Sequence, residues 1–128
     1  MSSDPIVAGT DGSAAAERAV DRAAELAQAL DASVHIVTVL ESASAPGLAE
    51  KVAADSRERL EGRGVKVQTH VRTGDAASEL IKVAEAEHAQ MIVLGNRGMR
   101  GAGRILGSVP NTVSHHARCG VLIIPTQL

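Results

Sequence analysis

The sequence contains no phenylalanine, tyrosine or tryptophan among its 128 residues. Proteins that read RNA or single-stranded DNA usually stack bases on aromatic side chains, and grooves for proline-rich peptides are lined with aromatic rings. The composition therefore argues against both function classes. A core is still available, because 45% of the residues are apolar and a chain of this length buries roughly two-thirds of its unfolded surface.

Cysteine and long apolar runs are also scarce. Cys119 is the single cysteine, which excludes an intramolecular disulfide and is typical of a reducing compartment, so we expect a cytoplasmic protein. No stretch approaches the ~20 apolar residues that a membrane helix needs, and the start, MSSDPIVAGT, lacks the basic region of a signal peptide. We expect no membrane or nucleic-acid partner, and one domain over residues 1–128.

Acidic residues are absent from the last third of the chain. Residues 1–87 contain all 15 acids, whereas residues 88–128 contain only basic charges, namely Arg97, Arg100, Arg104 and Arg118. The formal net charge of −2 hides this asymmetry. It reflects either chance placement of solvated charges or an anion site in the C-terminal third.

Strand and helix patterns alternate along the chain. Short apolar or β-branched runs predict five strands, at 6–8, 33–40, 65–71, 91–94 and 121–124. Amphipathic or capped segments predict four helices: one after Ser13 as N-cap, one at 48–61, one introduced by Gly74-Asp75 and one at 108–116. This alternation predicts a doubly wound α/β fold with a largely parallel sheet and helices on both faces.

Two predicted strand ends carry residues that are suited to anion binding. The first strand runs into GTDGS at 9–13, and the fourth runs into GNRGMRGAGRILGSV at 95–109. Glycine lets backbone N–H groups approach an anion, and the predicted helix start at Ser108 points further N–H groups outward. A flexible surface loop, with Ser13 and Ser108 acting only as helix caps, is the alternative. The segment is neither a Walker A loop nor a GxGxxG fingerprint.

These segments resemble the universal stress protein family over essentially the whole chain. The resemblance rests on the GTDGS turn, the apolar strand leading into GNRG, and the segment GSVPNTVSHHARCGVLIIP. It implies a five-stranded parallel sheet in the order 3-2-1-4-5. It also implies an adenine nucleotide, most often ATP with or without Mg²⁺, between the ends of the first and fourth strands, and a role as a stress-response regulator.

The resemblance implies a role for each residue that matches the family's site. Asp11 binds the ribose hydroxyls, Val39 meets adenine, and Gly95 and Gly98 line ribose and phosphates. The phosphates are held by Gly107, Ser108 and Val109. Thr10, Asn96 and Arg97 complete the expected nucleotide site. Homodimerisation through the last strand is also implied, with the interface at Val121, Leu122, Ile123 and Ile124.

The loop departs from the family's nucleotide-binding pattern, G-x2-G-x9-G-[S/T], because eight residues separate Gly98 from Gly107. One missing residue displaces Gly107 and Ser108 by up to ~3.5 Å, unless Gly101 and Gly103 absorb the change. Three alternatives therefore stand beside ATP binding: the same fold acting only through protein contacts, a cyclic AMP-binding variant, and a nucleotide hydrolase.

The sequence offers no catalytic or metal-binding pattern. No general base for a γ-phosphate is recognisable, and no G-x-S-x-G elbow is present, so we expect no enzyme. His115 and His116 are adjacent and point to different faces of a helix, and with Cys119 they do not form a metal-ligand spacing. Cys119 is instead expected to be a buried apolar residue.

Overall fold

The computed structural model describes residues 3–40, 46–96 and 108–125, in which strands and helices alternate. The strands are β1 (Ile6–Gly9), β2 (Val34–Leu40), β3 (Val67–Thr73), β4 (Met91–Gly95) and β5 (Gly120–Ile124). The helices are α1 (Ala14–Leu30), α2 (Pro46–Glu61), α3 (Ala76–Ala86) and α4 (Ser108–His116). All strand pairings are parallel, and the order β3-β2-β1-β4-β5 confirms the predicted fold.

Side chains of the central strands alternate between two apolar layers, one on each face of the sheet. On the first face, Ile6 and Ala8 of β1 lie in one buried cluster with residues of α1 and α2. On the second face, Val7 of β1 lies in a cluster with residues of α3 and α4. Both faces of β1 are therefore covered, which explains why this strand is a continuous apolar run.

The helix starts follow their capping residues. Ser13 is the predicted N-cap of α1, and its hydroxyl accepts a hydrogen bond from the Ala16 N–H at 3.2 Å. Asp75 caps α3 in the same way by accepting from the Ser78 N–H at 3.0 Å. Each cap satisfies one of the N–H groups that the first turn leaves without an intrahelical partner.

Two predicted boundaries are wrong by two residues. Helix α2 begins at Pro46 rather than at 48, because proline is tolerated in a first helical turn, where its missing N–H has no intrahelical role. Strand β3 spans Val67–Thr73 rather than 65–71. The Val65 N–H instead donates to the Leu60 carbonyl at 3.2 Å and closes the end of α2.

The two edges of the sheet differ from its centre. Strand β3 lies at one edge and β5 at the other, and both expose apolar side chains, Val71 on β3 and Leu122 and Ile123 on β5. Among the described residues, no helix has the length and apolar character needed to cross a bilayer.

Candidate functional site

The candidate site lies where the direction of the chain across the sheet reverses. From β1 the chain continues to β2 and β3 on one side, whereas β4 and β5 lie on the other side. The register pairs Ala8 with Val93, so Thr10 and Gly95 each follow two residues later at the carboxyl ends of neighbouring strands. Ligands of open α/β sheets bind in this crevice.

The main chain at this edge stays tied to the sheet. The Thr10 N–H donates to the Val37 carbonyl of β2 at 3.0 Å, and the Asn96 N–H donates to the Ile124 carbonyl of β5 at 3.0 Å. The two segments that follow β1 and β4 therefore leave the sheet from fixed positions. The structure brings together Thr10, Asp11, Gly95 and Asn96, as predicted from the strand ends.

The turn after β1 is held by its own side chains. The Gly12 N–H donates to the Thr10 hydroxyl at 3.0 Å, and the Ser13 N–H donates to Asp11 Oδ1 at 2.9 Å. Gly12 has φ +86°, and a Cβ there would lie 2.8 Å from Val52 Cγ2 of α2. Only glycine meets both demands without strain, so the half-buried Asp11 carboxylate is presented by a turn of fixed shape.

A partly buried polar network, the Glu17 network, anchors this turn to two helices. It comprises Thr10, Glu17 of α1, and Ser56 and Arg59 of α2. The Thr10 hydroxyl, which is fully buried, donates to the Glu17 carboxylate, as do the Ser56 hydroxyl at 3.0 Å and the Arg59 guanidinium. A carboxylate that accepts several charge-assisted hydrogen bonds is held firmly.

Sequence reasoning missed the Glu17 network. Ser56 and Arg59 lie 39 and 42 residues from Glu17 along the chain, so no local spacing reveals them. In the sequence, Glu17 is only one of the polar residues opposite the apolar face of α1.

The remaining predicted site residues fall into two groups. Val39 is half-buried on β2, and Val109 is 3% exposed in the layer beneath α3 and α4, so the Val109 side chain belongs to the core. Ser108 is the first residue of α4, as predicted. The other three, Arg97, Gly98 and Gly107, lie outside the described residues.

Comparison with known proteins decides the family. The model of the universal stress protein family matches residues 3–125 of the chain. The chain belongs to this family. Universal stress protein Rv1636 from Mycobacterium tuberculosis is 37% identical over 140 aligned positions, which cover 94% of this chain and 95% of that protein.

Solved structures show the same fold. A universal stress protein in complex with cAMP has a TM-score of 0.83 and 32% identity, with 99% of this chain and 100% of that chain covered. The universal stress protein from Archaeoglobus fulgidus in complex with dAMP has a TM-score of 0.80 over 97% of this chain and 99% of that one. Its identity is 24%, so this second likeness concerns the fold alone.

A separate cleft of this universal stress protein opens at the amino ends of the strands, opposite the candidate site. It has a volume of about 410 Å³ and lies beside the end of α3 and the segment between α4 and β5. Its lining includes Glu85, His88 and Arg118. These residues precede β4 and β5, so the cleft lies at the amino ends of the strands and not where nucleotides bind to this type of sheet.

The C-terminal histidines and the cysteine differ in exposure. His115 and His116 are exposed in the last turn of α4. Cys119 is half-buried rather than buried and packs against the layer beneath α3 and α4. Its partial burial raises the pKa of the Cys119 thiol, which suits an apolar packing role better than a reactive one.

Proposed function

We propose that this universal stress protein binds an adenine nucleotide, with ATP as the leading candidate, between the carboxyl ends of β1 and β4. The bound nucleotide would set the conformation of the chain and thereby its contacts with protein partners in a cytoplasmic stress response. The observation that carries the proposal is the turn after β1 that contains Asp11, here called the Asp11 turn. The Glu17 network holds it between the ends of β1 and β4, where the direction of the chain across the sheet reverses.

Physical features of this edge support a nucleotide there. Asp11 offers a carboxylate that suits ribose hydroxyls, and α4 begins at Ser108, where N–H groups and the helix dipole favour phosphate. No aromatic shelf is required, because half-buried Val39 on neighbouring β2 supplies an apolar surface. With Mg²⁺, the metal would accompany the phosphates rather than be held by a dedicated protein cage.

Cyclic AMP is the second candidate ligand. The solved relative that is 32% identical to this chain is in complex with cAMP. Cyclic AMP carries one phosphate, so it depends less on the segment between Gly98 and Gly107 than a triphosphate does. We further propose that the protein is a binding regulator and not an enzyme, because nothing in the sequence supplies a base for γ-phosphate transfer.

The absence of aromatic residues makes the proposal easy to test. Without Trp or Tyr the protein absorbs almost nothing near 280 nm, so a band near 260 nm in the purified protein reports bound nucleotide, which is identified after denaturation. Equilibrium dialysis against ATP and against cAMP then ranks the two ligands. Saturating concentrations of both that give no binding would favour a member of the family that acts only through protein contacts.

Replacement of Asp11 tests the assigned site directly. We expect Asp11→Ala to weaken nucleotide binding roughly 10- to 100-fold, the loss of a hydrogen bond to a charged group, in calorimetric titrations. Asp75→Ala is the matched control, since Asp75 also follows a strand and precedes a helix at the same edge of the sheet. Unchanged affinity in Asp11→Ala would overturn the site assignment.

We also propose a homodimer that pairs through β5. In the described part of the chain, β5 pairs only with β4, and its Leu122 and Ile123 are 37% and 39% exposed. An apolar edge strand of this kind invites pairing with a second copy.

A further inference from the structure

Two histidines and a glutamate meet beneath the end of α3, away from the Asp11 turn. The register pairs His35 of β2 with Gln68, and Val37 with His70 of β3, so both histidines lie on one face of the sheet. Glu87 is the C-cap of α3 and lies over that face. The His35 Nδ1 and His70 Nε2 atoms are 2.8 Å apart, and His35 Nε2 is 3.9 Å from Glu87 Oε1.

The three side chains together satisfy the first requirement of a metal site. One ligand atom from each residue can be chosen so that all three lie within 4.8 Å of one another. Tetrahedral zinc bonds of 2.0–2.1 Å to nitrogen place ligand atoms about 3.4 Å apart. An ion in place of the proton between His35 Nδ1 and His70 Nε2 therefore needs these nitrogens to separate by roughly 0.6 Å. The 3.9 Å distance to Glu87 is measured from the other His35 nitrogen, Nε2, so the carboxylate must also move toward the space between the two rings to become the third ligand.

The surroundings permit these movements. His35 is 3% exposed and fixed in the sheet, whereas His70 is half-buried and the Glu87 side chain is 37% exposed. The fixed histidine can thus serve as an anchor while the other two ligands adjust. The exposed side of Glu87 faces solvent, from which an ion can enter and a water molecule can supply a fourth ligand.

The chemistry of the donor set selects the type of metal. Neutral imidazole nitrogen and carboxylate oxygen suit Zn²⁺, while Mg²⁺ and Ca²⁺ prefer oxygen ligands alone. Burial lowers the pKa of both His35 and His70, which favours the neutral form of the rings. One ring only has to carry its hydrogen on the other nitrogen.

We propose that His35, His70 and Glu87 form a Zn²⁺ site on the face of the sheet beneath α3. The site is separate from the nucleotide crevice and does not depend on the nucleotide proposal. Sequence reasoning missed it, because the ligands come from two strands and a helix end, and their spacing of 35 and 17 residues matches no local motif.

The test is a zinc titration of metal-stripped full-length protein at pH 7.5 against a chromophoric zinc indicator. We expect one Zn²⁺ per chain, with affinity reduced at least about tenfold in both His70→Gln and Glu87→Gln. Co²⁺ in place of Zn²⁺ should show the visible bands of a four-coordinate site, which both variants lose. At equal zinc concentration, Zn²⁺ should also raise the Tm of the parent protein more than that of Glu87→Gln.

The controls separate this site from other histidines. His88→Asn changes the residue next to Glu87. His88 has φ +57°, a conformation that asparagine tolerates. The double variant His115→Gln/His116→Gln removes the exposed pair on α4. Both controls should bind zinc like the parent. Unchanged zinc affinity in both His70→Gln and Glu87→Gln, or loss of binding in the α4 double variant, would overturn the proposal and leave His35 and His70 as a purely structural pair.

Discussion

Glu17 links helix α2 to the turn after β1, where we propose that a nucleotide binds. Its carboxylate is 20% exposed and accepts hydrogen bonds from the side chains of Thr10, Ser56 and Arg59. Thr10 in turn accepts the Gly12 N–H, so one carboxylate connects α2 to the turn that carries Asp11. Loss of a partner in such a network leaves the others unsatisfied.

We expect Glu17→Gln to lower the free energy of unfolding by about 1–3 kcal/mol, because the amide keeps the shape but loses the charge that Arg59 pairs with. The same change should weaken nucleotide binding, since Thr10 would no longer be held. Urea unfolding and calorimetry measure the two effects. Glu25→Gln is the control, because the ion pair of Glu25 with Arg22 is more than half exposed and such pairs contribute little to stability. Equal losses of stability in the two variants would contradict the structural role of Glu17.

At the scale of elements, local sequence patterns predicted the alternation of strands and helices, and the family resemblance supplied the strand order. Five strands and four helices follow from local patterns, and the buried alternation of Ile6, Val7 and Ala8 between two layers explains why β1 had to be central. The error at Pro46 concerns the start of α2, where proline is tolerated in the first turn, and the error at Val65 concerns its end, where the Val65 N–H bonds to the helix instead of the sheet. Such boundaries depend on hydrogen bonds that periodicity does not encode.

Gly9 shows how closely α3 approaches the end of β1. A Cβ at this position would lie 3.0 Å from both Leu80 Cδ2 of α3 and Leu94 Cδ2 of β4. We expect Gly9→Ala to lower the free energy of unfolding by about 1–3 kcal/mol through overpacking, as measured by urea denaturation. A double-mutant cycle with Leu80→Ala should show coupling, because the added methyl group and the removed one share the same space.

Gly47 provides the matched comparison for this glycine. It lies in the first turn of α2, and a Cβ there meets nothing within 4 Å. Gly47→Ala should therefore be neutral or stabilise the protein by up to about 1 kcal/mol, since alanine restricts the unfolded chain. If Gly9→Ala were as well tolerated as Gly47→Ala, the packing of Leu80 against the end of β1 would be looser than the structure indicates.

At the scale of the whole molecule, the predictable part of the site is the part that topology places. Thr10, Asp11, Gly95 and Asn96 were predicted because carboxyl ends of neighbouring parallel strands meet at one edge. The Glu17 network and the cluster of His35, His70 and Glu87 were not, because each joins elements that are distant along the chain. Such sites depend on strand register and helix packing, and local sequence patterns do not encode either of them.

Quaternary structure is the last property that the edges of the sheet allow us to predict. Both edge strands expose apolar side chains to a similar degree, Val71 on β3 at 38% and Leu122 and Ile123 on β5 at 37% and 39%. The two differ in their neighbours, because β3 also carries the partly exposed Arg72 and an alternation of polar residues, whereas β5 reads GVLII without a charge. Charged residues protect edges from pairing, so β5 is the edge expected to dimerise.

We therefore expect Leu122→Lys/Ile123→Lys to convert a dimer into a monomer in light scattering at micromolar concentration, because two lysines on an apolar edge oppose its pairing. Nucleotide binding at the Asp11 turn should persist if each chain contains its own site. Val71→Lys is the control with matched exposure on the opposite edge, and it should remain dimeric. A dimer that survives the β5 change and dissociates with Val71→Lys would assign the interface to β3, and a monomeric parent protein would contradict the dimer altogether.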